Sequence, residues 1–160
     1  MTRVLLPGSY DPVTRGHIEI VRRALAHFDE VHVVVFVNPA KKTLLTPEER
    51  LTLLRAAFDS EVRVRTDCDL GLVSDYAARH GISLLLKGVR NEEDYLYERP
   101  MADHHLRYGI DTLLLPADPA FKDTSSHEVR ARIREGRPLS DLLTPEVEEA
   151  LGRILCSKEV

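Results

Sequence analysis

Histidine 17 stands in the run Thr14-Arg15-Gly16-His17, which directly follows Pro7-Gly8-Ser9-Tyr10-Asp11-Pro12. A short apolar segment, Val4-Leu5-Leu6, comes before these residues, and a helical pattern begins after them at Ile18. An imidazole is thereby set, with a serine and two glycines, where a first strand gives way to a first helix. Open α/β sheets bind phosphates at such a junction, because the helix N-terminus presents free N–H groups and the positive end of its dipole. Gly8 allows the backbone to come close to a ligand, and Gly16 leaves room beside the histidine. A lone histidine at a helix start is most often an ordinary polar residue; here the glycines, the position and three later segments agree.

Those three segments each follow an apolar strand pattern. Asn38-Pro39-Ala40-Lys41-Lys42 carries two lysines. Loop lysines are mostly solvated charge, but at this topological position they are able to hold an acceptor phosphate. Lys87-Gly88-Val89-Arg90 sets two cations around a glycine, with arginine suited to bidentate phosphate contacts and lysine acting as a point charge. A simple turn with surface charge is the plain alternative, and the coincidence of the glycine with both cations favours a site. The next stretch, Asn91 to Glu98, is strongly acidic. It reads mostly as a solvated helix face, with one carboxylate free to touch a ribose or help organise a metal. Thr124-Ser125-Ser126-His127-Glu128-Val129-Arg130 places hydroxyls at a helix start, where they cap the helix and leave N–H groups for an anion.

The elements that must hold these loops alternate along the chain. Val31–Val37 is a β-branched run without strict alternation, as expected of a buried strand. Val62–Val64, Ser83–Leu86 and Thr112–Leu115 read as further strands. Ile18, Val21, Leu25 and Phe28 form one apolar stripe at helical spacing. Thr46-Pro47-Glu48-Glu49 predicts a helix start, with Thr46 capping, Pro47 in the first turn and Glu49 closing a capping box; Leu51, Leu54 and Phe58 then face inward. A helix from about Leu72 should stop at Gly81, and a long one from Glu92 to Tyr108 before Gly109. Thr144-Pro145-Glu146 opens a last helix with Val147, Leu151, Ile154 and Leu155 inward. Strand–helix alternation of this kind predicts an α/β fold: a Rossmann-like, five-stranded parallel sheet with helices on both faces, in a single domain spanning residues 1–160.

Composition narrows the function. A chain of 160 residues with 43% hydrophobic and 30% charged residues is ordinary for one globular domain. A net charge of −4 argues against a general nucleic-acid binder, and no apolar run approaches the roughly 20 residues needed to span a bilayer. Entry into a strand pattern at the N-terminus leaves no room for a signal peptide. Cys68 and Cys156 show neither metal-site spacing nor a disulfide framework, so cytoplasmic residence is the expectation. The absence of G-x-G-x-x-G after the first strand argues against a dinucleotide enzyme, and the absence of G-x-x-x-x-G-K-[ST] against a P-loop kinase or ATPase.

The T-x-G-H element resembles nucleotidyltransferases that move a nucleoside monophosphate from a triphosphate to a phosphate-like acceptor. Taken together, the segments resemble the phosphopantetheine adenylyltransferases of coenzyme A synthesis over nearly the whole chain. The likeness is strongest in Pro7–His17, Asn38–Lys42 and Thr46–Arg50, and again in Lys87–Arg90 followed by Asp94–Glu98. The resemblance implies that ATP and 4′-phosphopantetheine give dephospho-coenzyme A and pyrophosphate. It implies that Ser9 and His17 meet the reacting phosphates, with His17 catalytic, and that Lys41 and Lys87 bind the acceptor phosphate while Val73 lines the pantetheine arm. Tyr10, Gly88, Val89, Arg90, Glu98, Thr124, Ser125, Ser126 and His127 fall on its nucleotide-contacting positions. It further implies Mg2+ with the nucleotide but no protein metal ligands, a homohexamer, and coenzyme A as a feedback ligand.

The chain departs from that pattern in places. Lys87 takes a position that is often arginine, and His127 stands third in a block usually made of serines. Asp118–Asp123 lacks the usual preceding sequence. The stretch from Arg130 to Gly136, with Leu143-Thr144-Pro145 after it, is closer to nicotinamide mononucleotide adenylyltransferases. A related enzyme acting on nicotinate or nicotinamide mononucleotide, or on glycerol phosphate, is therefore the second expectation. A nucleotide-binding regulatory module without catalysis is the third.

Overall fold

A computed structural model describes residues 1–159. The elements run β1 (Arg3–Gly8), α1 (Arg15–Ala24), β2 (Glu30–Phe36), α2 (Pro47–Phe58), β3 (Val64–Asp69), α3 (Val73–His80), β4 (Leu84–Val89), α4 (Glu92–Leu106), β5 (Asp111–Pro116), α5 (Ser126–Glu135) and α6 (Pro145–Lys158). The strands form one parallel sheet in the order β3-β2-β1-β4-β5. From β1 the chain builds outward to β2 and β3, then returns to the other side of β1 for β4 and β5. The order therefore reverses between β1 and β4, and a crevice opens there outside the carboxyl ends of the strands.

Burial follows from this layering. Val31, Val33, Val34 and Val35 of β2 are fully enclosed because neighbouring strands and both helical layers cover them. On one face Leu6, Val33 and Leu86 meet Ile20 and Val21 of α1, Leu53 and Leu54 of α2, Val129 of α5 and Leu151 of α6. On the other, Leu5, Val34 and Leu85 meet Tyr76 and Ala77 of α3. α4 lies against β4 and β5, yet none of its residues is buried. Its Tyr95, Leu96, Leu106 and the following Tyr108 are exposed, as is Leu113 of β5.

The strand and helix types agree with the sequence pattern, but several boundaries move. The third strand begins where Val62–Val64 was expected to end, and Val62 itself is exposed. β3 is an edge strand whose ladder to β2, from Val31↔Val64 to Phe36↔Asp69, is made by backbone. Its Thr66-Asp67-Cys68-Asp69 can therefore be polar, and an apolarity test passes over it. In α1 the buried residues are Glu19, Ile20, Val21 and Ala24, while Ile18, Leu25 and Phe28 pack at the rim. In α2, Leu53 joins Leu54 and Phe58 in the core and Leu51 is only half-buried. α4 stops at Leu106 and contains Pro100, which removes one helical hydrogen bond. Gly81 ends α3 as expected, at φ 64°, in the left-handed region that glycine enters without a Cβ clash.

The Thr46 capping box is formed in full: the Thr46 hydroxyl accepts from Glu49 N at 3.2 Å, and the Glu49 carboxylate accepts from Thr46 N at 2.8 Å. Thr46→Ala is expected to cost about 1 kcal/mol. Calorimetry should find the thermal midpoint lowered by about 2–4 °C, the usual response of a domain this size.

Candidate active site

The loop joining β1 to α1 is fixed from outside. Arg50, buried on α2, donates through Nη1 to the Ser9 carbonyl at 3.0 Å. The Asp11 carboxylate, 3% exposed, accepts from Leu44 N at 2.8 Å and Leu45 N at 2.9 Å. Arg130 of α5 donates to the Asp11 carbonyl at 2.8 Å, and Ser126 Oγ donates to the Pro12 carbonyl at 2.8 Å. Between these ties Tyr10 holds φ 47° with its ring buried and its hydroxyl donating to the Leu6 carbonyl at 2.8 Å. A non-glycine residue in that region costs about 1–3 kcal/mol and persists where the surroundings over-determine it, typically at functional sites. Burial pushes the Tyr10 phenol above its ordinary value, so it is a neutral wall rather than an acid.

His17 occupies the third position of α1 and closes a capping box with Thr14. Thr14 N donates to His17 Nδ1 at 3.0 Å. A backbone N–H can only donate, so Nδ1 is the acceptor and the ring proton sits on Nε2. Burial, and then the positive charges of Lys87 and Arg90, lower the imidazole pKa from 6.5 to about 4. At neutral pH His17 is therefore an uncharged Nε2–H donor, fixed by Thr14 and packed edge-on against Tyr10 with ring centroids 4.9 Å apart. Gly16 lets the start of α1 lie close to the backbone before α5: a Cβ there would be 3.2 Å from the Thr124 carbonyl oxygen. Gly88 does the same for β4 and α1, since its Cβ would lie 3.0 Å from Ile20 Cγ1.

Three cations converge on the same space. Lys41 Nζ donates to Ser9 Oγ at 3.4 Å. Lys87 Nζ donates to the Pro7 carbonyl at 3.1 Å and lies 3.4 Å from Glu98 Oε1. Arg90 is gripped by Asp94, whose carboxylate accepts from Arg90 Nε at 2.8 Å and Nη2 at 3.1 Å. Burial alone would raise the Asp94 carboxyl, but hydrogen bonds from the Arg90 side chain and backbone hold it below its usual value.

These groups line a crevice of about 500 Å³ at the reversal point of the sheet. Of the residues singled out in the sequence, Ser9, Tyr10, His17, Lys41, Val73, Lys87, Gly88, Arg90, Glu98, Thr124, Ser125, Ser126 and His127 all border it. Val89 does not; its carbonyl accepts from Ala117 N at 2.8 Å and closes the strand end. Ser125 is the N-cap of α5, accepting from Glu128 N at 3.1 Å. The β1–α1 loop and the start of α5 border the crevice on one side. Past Lys87 it is bordered by Phe36, Val73 and Leu85, which belong to the other face of the sheet, and by Met101 and His105 of α4.

Asp94, Met101, His105 and Thr112 were not singled out from the sequence, although they border the crevice. A signal existed for three of them: residues 94, 98, 101 and 105 lie on one stripe of α4 at helical spacing. Burial, and then His104 and Lys87, lower the His105 pKa. Among the described residues no cluster of three or more His, Cys, Asp or Glu could hold a metal ion.

A model of the cytidylyltransferase-like family matches residues 5–132. The phosphopantetheine adenylyltransferase of Corynebacterium diphtheriae is 40% identical over 153 residues, covering 94% of this chain and 96% of the relative. That of Thermotoga neapolitana is 41% identical over 147 residues, covering 91% of each chain. The chain belongs to the phosphopantetheine adenylyltransferase family. The namesake from Thermobifida fusca is again 41% identical over 155 residues, covering 94% of this chain and 93% of its own.

The lowered pKa of His17 has a stability consequence. The unfolded chain takes up this proton near pH 6.5, whereas the folded chain resists it down to about 4. The contribution is thus fully present above pH 6.5 and lost as pH falls towards 4. Denaturant titrations at pH 7 and pH 5 should show wild-type stability falling more than that of His17→Gln; equal falls would refute the assignment.

Proposed function

We propose that this chain transfers the adenylyl group of ATP to 4′-phosphopantetheine, reversibly, giving dephospho-coenzyme A and pyrophosphate. The observation that carries the reading is one crevice that brings His17 and the cations together with an apolar wall. Beyond Lys87 it is bordered by Phe36, Val73, Leu85 and Met101, which suits an acceptor carrying one phosphate on an apolar-tolerant arm better than a compact mononucleotide. The names of the relatives support the same acceptor.

In this reading Lys41 and Lys87 hold the acceptor phosphate and Val73 lines its arm. Ser9, Tyr10, Gly88, Arg90, Glu98 and residues Thr124–His127 contact the nucleotide, with Val89 serving through its backbone only. The acceptor phosphate is already a nucleophile at neutral pH, so no general base is required. The protein's task is to align two anions that repel each other and to stabilise charge on the α-phosphate as pyrophosphate departs. The Lys87 charge, turned from Glu98 to the substrates, and the Arg90 N–H groups that Asp94 leaves free supply part of that stabilisation. His17 donates its Nε2 proton in a hydrogen bond and keeps it, which fits direct in-line displacement with no covalent enzyme intermediate.

The donor set suits Mg2+ bound chiefly by the triphosphate rather than caged by protein, because Asp94 and Glu98 each already face a cation. Such an ion would neutralise phosphate charge and favour the leaving pyrophosphate. We propose one nucleotidyltransferase domain over the whole chain, assembled as a homohexamer, with coenzyme A as a feedback ligand of the crevice. The exposed apolar residues of α4 and β5 support self-association. ATP as donor speaks for a cytoplasmic setting; no helix among the described residues is long and apolar enough to cross a membrane.

Pyrophosphate release with ATP, Mg2+ and 4′-phosphopantetheine tests the reaction, with nicotinamide mononucleotide run beside it. Release with phosphopantetheine alone is expected, and release with the mononucleotide alone would overturn the acceptor. His17→Ala should keep ATP affinity near normal while kcat falls by about 10²–10³, the usual loss when one transition-state donor is removed; near-normal turnover would remove His17 from its role.

A further inference from the structure

Asp94 lies in the first turn of α4, where the Asn91 side chain caps its N–H at 2.9 Å. Its carboxylate takes three hydrogen bonds from a single residue. Oδ2 accepts from Arg90 backbone N at 2.9 Å and from Nε at 2.8 Å, and Oδ1 accepts from Nη2 at 3.1 Å. Both residues border the crevice. We infer that Asp94 is a positioning residue for the nucleoside triphosphate: it grips one edge of the Arg90 guanidinium and so aims the remaining N–H groups at phosphate. This rests on the proposed role of Arg90 in nucleotide binding.

The geometry separates this pair from an ordinary surface ion pair on a helix face, which contributes little. Arg90 precedes the helix, and its cap residue Asn91 is extended at φ −160°, so its backbone direction is not set by helical hydrogen bonds. Asp94 supplies what the helix does not, holding backbone and side chain at once. A guanidinium has five N–H groups in a rigid fork. With Nε and one Nη2 hydrogen engaged, both hydrogens of Nη1 and the second of Nη2 remain for a ligand. A free arginine side chain gives up much rotamer entropy when it is fixed, and ordering it beforehand spares that loss on binding. The arrangement also has a cost, since a carboxylate near a triphosphate repels it. Positioning and competition therefore predict opposite signs when Asp94 loses its charge.

The test is a double-mutant cycle read by ATP affinity. Calorimetry with ATP and Mg2+, and no acceptor, would be run on wild type, Asp94→Asn, Arg90→Ala and the double variant. Asp94→Asn is expected to weaken ATP about five- to tenfold, the low end of the coupling seen between interacting groups. KM for 4′-phosphopantetheine should stay within about twofold. The double variant should bind ATP no more weakly than Arg90→Ala alone, because a residue acting through Arg90 has nothing left to lose. A thermal melt of each variant accompanies the cycle, and an unchanged acceptor KM is a result that a merely structural defect would not give. Unchanged or tighter ATP binding by Asp94→Asn overturns the inference, as do losses that multiply in full in the double variant. Failure of wild-type turnover with phosphopantetheine would instead count against the acceptor and leave the ATP cycle interpretable.

Discussion

The site depends on one short loop being held rigid by other parts of the chain. Residues Ser9 to Pro12 make no secondary structure that would fix them, yet their carbonyls and the Asp11 carboxylate receive hydrogen bonds from α2, α5 and the chain after Lys41. A carboxylate as deeply buried as Asp11 is tolerable only when fully partnered, and two backbone N–H groups with Arg130 nearby meet that condition. The same bonds decide where Lys41 and the start of α5 lie. Three loops separated widely in sequence therefore become one surface, and Tyr10 is kept in a conformation it would abandon in isolation.

Electrostatics on that surface is balanced rather than simply positive. Lys87 and Arg90 each face a carboxylate, while His17 stays uncharged because it is desolvated beside them. A free cluster of cations would repel itself and draw in counterions. A cluster matched to carboxylates is stable without ligand and can redirect its donors when phosphates arrive. His17 gains from its neighbours in another way. Their charge denies it a proton on Nδ1, where Thr14 donates, and so keeps a single tautomer in place.

Much of this was legible in the sequence, for identifiable reasons. The T-x-G-H junction, Lys41, Lys87 and Arg90 follow directly from where strands end in a parallel sheet, so their convergence required only that the strand count be right. The Thr46 capping box and the Gly81 stop are local devices that the structure retains unchanged. β3 was misplaced because an edge strand held by backbone bonds need not be apolar. Asp94 and His105 of α4 are not read as site residues from the sequence because Asp94 sits within an acidic run that looks solvent-facing and His105 lies a further three turns along the same helix. Only the long-range placement of α4 over the crevice turns one stripe of it inward. The ties of Arg50 to Ser9, of Leu45 to Asp11 and of Arg130 to Asp11 span 41, 34 and 119 positions, and no local pattern announces them.

Residues from both faces of a single sheet border the crevice, and side chains along β4 alternate between those faces. Leu86 and Gly88 face the α1 side, where Gly88 abuts Ile20, while Leu85 and Lys87 face α3 and α4. Along one strand, then, successive side chains face different layers of the fold. Changes at Phe36, Val73, Met101 or His105 can reshape what is accepted without disturbing the histidine or the loop that carries it. The scaffold is in this sense modular, and a lineage built on it is free to exchange acceptors while its reaction chemistry stays where the first strand meets the first helix.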